Sequence, residues 1–454
     1  MPNRASASDV PGLVEHLFRR ESGRMLATLT RIFGPEHLEL AEDVVQEALI
    51  QALRHWPVSG VPGNPSAWLV QVAKRRALDV VRREQRLATR QAVVRAALEG
   101  DPALAPDELA LSAAAGDLSD DQLRMIFMCC HPDVPLEGRV ALTLKLVGGF
   151  SVAEIARAFL AEESAIFQRL ARAKRRIRES RVAFEVPEST ALGQRLDAVL
   201  EVLYLMFNEG HTATEGGALL RDDLCGEAIR LAALLTANAV TAEPRTHALL
   251  ALFLFHGARL GTRVDQGGEL VLLPEQDRSR WDRDMIDRGL AHLSRAASGS
   301  VLSTYHLEAE IASCHATAAR YEDTDWPRIV WAYDELLGMH PSPLVALNRA
   351  VAMAELHGPA VGLGELEALR EDESLRRYYL LPAARGELLR RLGDHGGAAE
   401  SLREARALAR TEPVRRFLDR RLESLGESTV ESGSPRPSRG DRGRSRRAPS
   451  PPQE

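Results

Sequence analysis

The sequence predicts an all-α protein built from several domains. Ala, Leu, Arg and Glu dominate, and period-two alternation of β-branched residues is scarce. Apolar residues recur at i, i+3 and i+4 in one stretch after another, the spacing of a single helical face. At 454 residues the chain is too long for one hydrophobic core, so about three or four domains are expected.

Composition narrows the function classes. The chain carries 58 Lys+Arg against 64 Asp+Glu, a net charge of −6. It is not a basic nucleic-acid coat, and any DNA affinity must come from local basic segments. The four cysteines are Cys129, Cys130, Cys225 and Cys314, and their spacing fits neither a disulfide framework nor a zinc site. Adjacent side chains on a helix point apart, so Cys129-Cys130-His131 is not a ligand cluster. No metal and no cofactor is expected. A signal-peptide pattern and a run of about 18 apolar residues are both missing, so the expected location is the cytoplasm, with no membrane contact.

Residues 1–10 are polar. Val14 to Phe33 reads as a helix with Leu17, Phe18, Met25, Leu29 and Ile32 as its core face, ended by Gly34-Pro35. Leu38 to Trp56 is a second helix. Leu40, Val44, Ala48 and Leu53 face inward, while Glu42, Asp43, Gln46 and Glu47 cluster outside. The stretch from Pro57 to Pro65, PVSGVPGNP, is a structured loop that includes Asn64. A third helix from Ser66 to about Arg86 packs through Trp68, Leu69, Val72, Leu78 and Val81. Lys74, Arg75, Arg76, Arg82, Arg83 and Arg86 make it basic. Two readings of Trp68 stand, a core anchor or a platform on which a flipped base stacks.

Residues 87–118 have only a weak helical pattern and read as a linker, able to span up to ~100 Å when extended. Two reading heads about 17–25 base pairs apart on DNA lie roughly 60–85 Å apart, so the linker is long enough to join them. Asp120 to Cys130 and Glu137 to Val147 are helices that lead into Ser151–Arg178. There, Val152 to Phe159 forms one helix, Leu160-Ala161-Glu162-Glu163 a turn, and a second helix opens near Ser164. Ile166, Leu170 and Ala173 are its buried face. Gln168, Arg169, Arg172, Lys174, Arg175, Arg176 and Arg178 line the other. This is a helix-turn-helix, and a second helix of about 14 residues, roughly 21 Å long, suits a DNA major groove.

Two of these modules resemble regions 2 and 4 of bacterial sigma factors of the extracytoplasmic-function type. Ala41-Glu42-Asp43, Val45-Gln46-Glu47 and the stretch from Ala67 to Arg83 carry the first resemblance, over residues 10–86. Residues 119–181 carry the second. The resemblance implies that the Asp43, Gln46 and Glu47 face docks on a coiled coil of the largest subunit of core RNA polymerase. It implies that Asn64, Trp68, Lys74, Arg75 and Arg76 melt and read the −10 promoter element. Ser164, Phe167, Gln168, Arg169, Arg172 and Lys174 would read the −35 element in duplex DNA. Three positions depart from the pattern: Arg75 where many relatives carry Asn, Leu160 where helix-turn-helices use Gly, and Phe167 where a polar residue is common. Phe167 either touches a thymine methyl or packs on the helical scaffold.

Residues 187–290 hold two apolar helical stretches and a turn at Asp265-Gln266-Gly267-Gly268 between short extended pieces. This layout is similar to the helical extension in one branch of the same family. Asn208-Glu209-Gly210-His211 and the run from Asp277 to Asp282 match no zinc signature, phosphate loop or nucleophile elbow. They read as buried polar pairs that hold the helices together, so no enzyme is expected. Over residues 291–426, Ala350–Gly358 and Ala384–Gly393 repeat at an offset of about 34–35, the tetratricopeptide (TPR) period. That predicts a TPR-like α-solenoid whose concave face takes a peptide or protein partner. Residues 427–454 read as a disordered basic tail. The expectation is a sigma factor whose extension regulates it. The alternative is a stand-alone helix-turn-helix repressor or activator with a repeat sensor domain.

Overall fold

A computed structural model describes residues 10–99, 118–159, 161–212, 218–265, 269–409 and 412–432. Leu160 and the turn residues 266–268 lie outside them. The regular elements among the described residues are all helices, without a β-strand. The chain divides into two units, Met1–Asp265 with Val271–Met339, and Gln266–Leu270 with His340–Glu454.

The first unit begins with α1 (Val10–Phe33), α2 (Leu38–Ser59) and α3 (Pro65–Glu99). Gly34, at φ 88°, ends α1 as the Gly-Pro pair predicts. α2 runs on through Pro57 to Ser59, because a proline in the last turn forfeits a single hydrogen bond. α3 runs well past Arg86, so residues 87–99 of the expected linker are helical. That stretch, LATRQAVVRAALE, has no Gly or Pro before Gly100 and is rich in good helix formers.

Next come α4 (Leu118–Cys129), α5 (Leu136–Leu142), a π-turn over Thr143–Val147, α6 (Val152–Ala158) and α7 (Glu163–Glu179). This second module does not stand apart from the first. Both contribute to one hydrophobic core with Met25, Leu29, Val45, Phe127 and Phe150. A Cβ on Gly23 of α1 would lie 2.1 Å from the Val147 carbonyl oxygen, so only glycine permits that crossing. Arg31 of α1 donates to the buried Asp121 of α4 at 2.9 Å.

The same core continues through α8 (Ser189–Thr212), α9 (Ala218–Ala237), α10 (Pro244–Gly257), α11 (Arg283–Ala296) and α12 (Thr304–Thr317), and α13 (Trp326–Met339) packs on α12. Phe207 stacks on Phe253 at 4.3 Å between α8 and α10. α8 and α9 pack on α4, α5 and α6, and Arg195 of α8 donates to the Phe127 carbonyl at 2.7 Å.

The second unit holds α14 (Pro343–His357), α15 (Pro359–Ala368), α16 (Leu380–Arg391), α17 (His395–Leu408) and α18 (Glu412–Ser432). Neighbours in sequence pack as pairs. α14 and α15 approach so closely that a Cβ on Gly362 would meet the Ala354 Cβ at 2.4 Å. The ends of α14 and α16 share one device, Gly358 at φ 96° and Gly393 at φ 83°. α18 continues to Ser432, so the predicted tail begins as helix; residues 433–454 lie outside the described part.

Candidate polymerase and promoter interface

Asp43, Gln46 and Glu47 lie within one turn of α2 and are all exposed, while Val44, Val45 and Ala48 between them are buried. That alternation leaves a charged face on a helix anchored from behind. Glu47 pairs with Arg76 of α3 at 3.3 Å, with both side chains half exposed. The acidic face of α2 and the basic face of α3 therefore adjoin. Arg75, Arg76, Arg82 and Arg83 are exposed and Lys74 is half-buried.

Asn64 has a structural task that the sequence reading missed. Its side-chain oxygen accepts from the Ala67 N–H at 3.0 Å, capping α3. Trp68 is half-buried and meets Trp56 edge to face at 5.5 Å. It anchors α3 to α2 and still stays partly exposed.

In the second module a capping box fixes the start of α6. The Ser151 hydroxyl accepts from the Glu154 N–H at 3.1 Å, and the Ser151 N–H donates to the Glu154 carboxylate at 2.7 Å. Ile166, Leu170, Ala173 and Ile177 bury one face of α7. Ser164, Phe167, Gln168, Arg172, Arg175 and Arg176 lie exposed on the other. Phe167 is 67% exposed, so it does not pack on the scaffold.

Two predicted DNA residues sit on the flanks of α7 rather than on its outer face. Arg169 is half-buried and pairs with Glu137 of α5 at 3.1 Å. Lys174 is half-buried and pairs with Glu42 of α2. Arg178 follows, pairing with Glu39 at 3.5 Å. Two basic residues of α7 thus pair with two acidic residues in the first turns of α2, and one of these, Glu42, is the chain neighbour of Asp43. Glu39 and Glu42 were readable as acidic positions, but no local pattern tells that their partners come from a helix over a hundred residues away.

The polar runs of the extension have structural partners. Asp282 caps α11 by accepting from the Met285 N–H at 3.0 Å. The Trp281 indole N–H donates to the Thr262 hydroxyl at 3.0 Å. Arg278 donates to the carbonyls of His315 and Ala318, at 2.6 and 2.9 Å.

Comparison with known proteins follows the same partition. Residues 17–87 match the family Sigma-70 region 2, and residues 124–177 match Sigma-70, region 4. The ECF RNA polymerase sigma factor SigK of Mycobacterium ulcerans (strain Agy99) is 31% identical over 157 residues, 33% of this chain and 80% of that protein. The chain belongs to the extracytoplasmic-function (ECF) type of the sigma-70 family. Residues 195–297 of this sigma factor match a family of unknown function, DUF6596. An uncharacterized protein of Rhizobium meliloti (strain 1021) is similar over both parts, 39% identical across 400 residues, 88% of this chain and 93% of that protein. No solved structure matches the sigma factor. Its regions 2 and 4 are those with which sigma factors bind core RNA polymerase and promoter DNA. Among the described residues no helix is long and apolar enough to cross a membrane.

Proposed function

We propose that this sigma factor docks on core polymerase through Asp43, Gln46 and Glu47, opens the −10 element with α3 and the loop before it, and reads the −35 element with the outer face of α7. One observation carries the reading: a single chain presents an exposed acidic-polar stripe on α2 and an exposed helix face on α7, each backed by a buried apolar face. An acidic face suits a basic coiled coil. Trp68 offers stacking surface, and Arg75, Arg76, Arg82 and Arg83 offer phosphate contacts to a melted strand. On α7, Phe167 is free to touch a thymine methyl and Gln168 to read an adenine edge, with Arg172 beside them.

The ion pairs that join α7 to α2 set a condition on this reading. Region 4 covers ground next to the docking stripe, so the chain must open before both promoter elements are engaged. In that step Lys174 and Arg169 exchange carboxylate partners for phosphate. The extension, packed on α4, α5 and α6, regulates the step by holding region 4 in place. The paired helices of the second unit form a TPR-like surface for a peptide or protein partner, and the protein works in the cytoplasm, where its polymerase is. It assists a polymerase and performs no chemistry itself.

Co-migration with core polymerase tests the docking face. Wild type should comigrate, and Asp43→Arg with Gln46→Ala should not, while its unfolding temperature stays within a degree or two because both positions are exposed. Equal polymerase binding by the two proteins would show that the face lies elsewhere.

A further inference from the structure

The extension buries more positive charge than the described residues neutralise. The C-terminal ends of α8, α10 and α12 converge on one spot. His211, in the last turn of α8, meets His256 of α10 with ring centroids 4.8 Å apart. Arg259, two residues past α10, donates to the His256 ring at 3.2 Å. Arg278 lies 4.7 Å over the Trp281 ring and reaches the last carbonyls of α12 beside His315.

Arg259 forms no ion pair with any described carboxylate. Burial first, then the guanidiniums of Arg263 and Arg278, pull it down to about 10. His256 and His315 are held below the ordinary histidine range by burial and the same arginines. Three polar atoms at this spot are buried without a hydrogen bond: Arg278 Nη2, His211 Nε2 and His315 Nδ1. Arg278 is only 8% exposed, so its orphaned donor is an expense the fold would not carry without return.

Helix dipoles compensate part of this charge. Each C-terminus supplies roughly half a negative charge. Arg278 has the carboxylates of Glu322 and Asp323 near it, but Arg259 has only other guanidiniums around it, against roughly half a charge from the end of α10. A buried charge left over is destabilising unless something pairs with it. Part of the Arg259 surface still meets solvent, which gives a ligand a way in.

We propose that this junction is an oxyanion site, formed by Arg259, Arg278, His211, His256 and His315, that takes the phosphate or carboxylate group of a small metabolite. An oxyanion offers acceptors to all three orphaned positions and neutralises the surplus charge. Two of its walls, α8 and α10, belong to the bundle that packs on region 4, so occupancy would stiffen the element that holds the DNA-reading module.

Calorimetric titration of the full chain with inorganic phosphate, and separately with acetate, tests the site. One saturable site per chain is expected for at least one of the two anions, and which one tells a phosphate reader from a carboxylate reader. No saturable heat with either overturns the proposal. Arg259→Met provides a second measurement in thermal unfolding. Without anion the variant should be at least as stable as wild type, since it relieves guanidinium repulsion, and phosphate should no longer raise its unfolding temperature above that in matched chloride. A phosphate-induced rise equal in both proteins is the general salting effect, and it would overturn the site.

Discussion

Lys174 of α7 donates to Glu42 of α2 across 132 positions of the chain, joining the helix predicted to read −35 to the helix predicted to dock on polymerase. Both side chains are largely shielded, at 18% and 14% of their free exposure. Solvent screens this pair less than an exposed one, so a coupling of about 1 kcal/mol is expected. Lys174→Glu should lower the stability of the closed form and raise the distance between labels placed on α3 and α7. Adding Glu42→Lys should restore both. A double-mutant cycle with no coupling would mean the apolar core alone closes the molecule.

Phe167 separates a binding role from a packing role. At 67% exposure, Phe167→Ser should leave stability within about 0.5 kcal/mol of wild type. Binding to −35 duplex should fall by about 1–3 kcal/mol, and only on sequences with a thymine at the contacted step. Arg172→Ala should instead weaken binding to all sequences alike and reduce the salt slope by about one. If Phe167→Ser leaves DNA affinity untouched, the outer face of α7 is not the reading face.

Removing the extension should damage the sigma core rather than simply release it. α8 and α9 cover α4, α5 and α6, and Arg195 satisfies the Phe127 carbonyl. A chain ending at Val182 should expose that apolar face, bind a hydrophobic dye and unfold at a lower temperature. A truncated protein as stable as the full chain would show that the extension is an independent attachment.

The extension also carries a pH signature. Burial raises the Glu308 carboxyl to about 7, against a hydrogen bond from Tyr204 that favours its ionised form. Below about pH 4 the group is protonated whether the chain is folded or not, and it costs nothing. Between about pH 4.5 and 7 the unfolded chain releases a proton that the folded chain keeps, so stability falls; above 7 the loss is constant. Glu308→Gln keeps the shape and removes the titration. The variant should match wild type near pH 4.5 and unfold a few °C higher at pH 8. An offset that does not change with pH would mean Glu308 is already ionised when folded.

What the sequence made legible follows from range. Helix faces, the Gly34 stop, the helix-turn-helix and the exposed stripe at Asp43, Gln46 and Glu47 are all written within a few turns of chain. So are the residues that make α3 basic. What stayed hidden is long-range. Nothing near Lys174 names Glu42, and nothing near Gly23 says that the Val147 carbonyl will press on it. The third helix runs past its expected end near Arg86 for a local reason, because a stretch free of Gly and Pro continues a helix that already exists. Arg169 shows the limit of helical-wheel reasoning, since a residue at the edge of a face turns toward whichever carboxylate the neighbouring helix supplies, here Glu137.

Promoter-dependent transcription with purified components tests the central claim most directly. Core polymerase alone should make no transcript from a cognate promoter, adding this protein should start one at a defined site, and Asp43→Arg with Gln46→Ala should abolish it. A protein that binds the promoter DNA yet neither joins core polymerase nor starts a transcript would contradict the account.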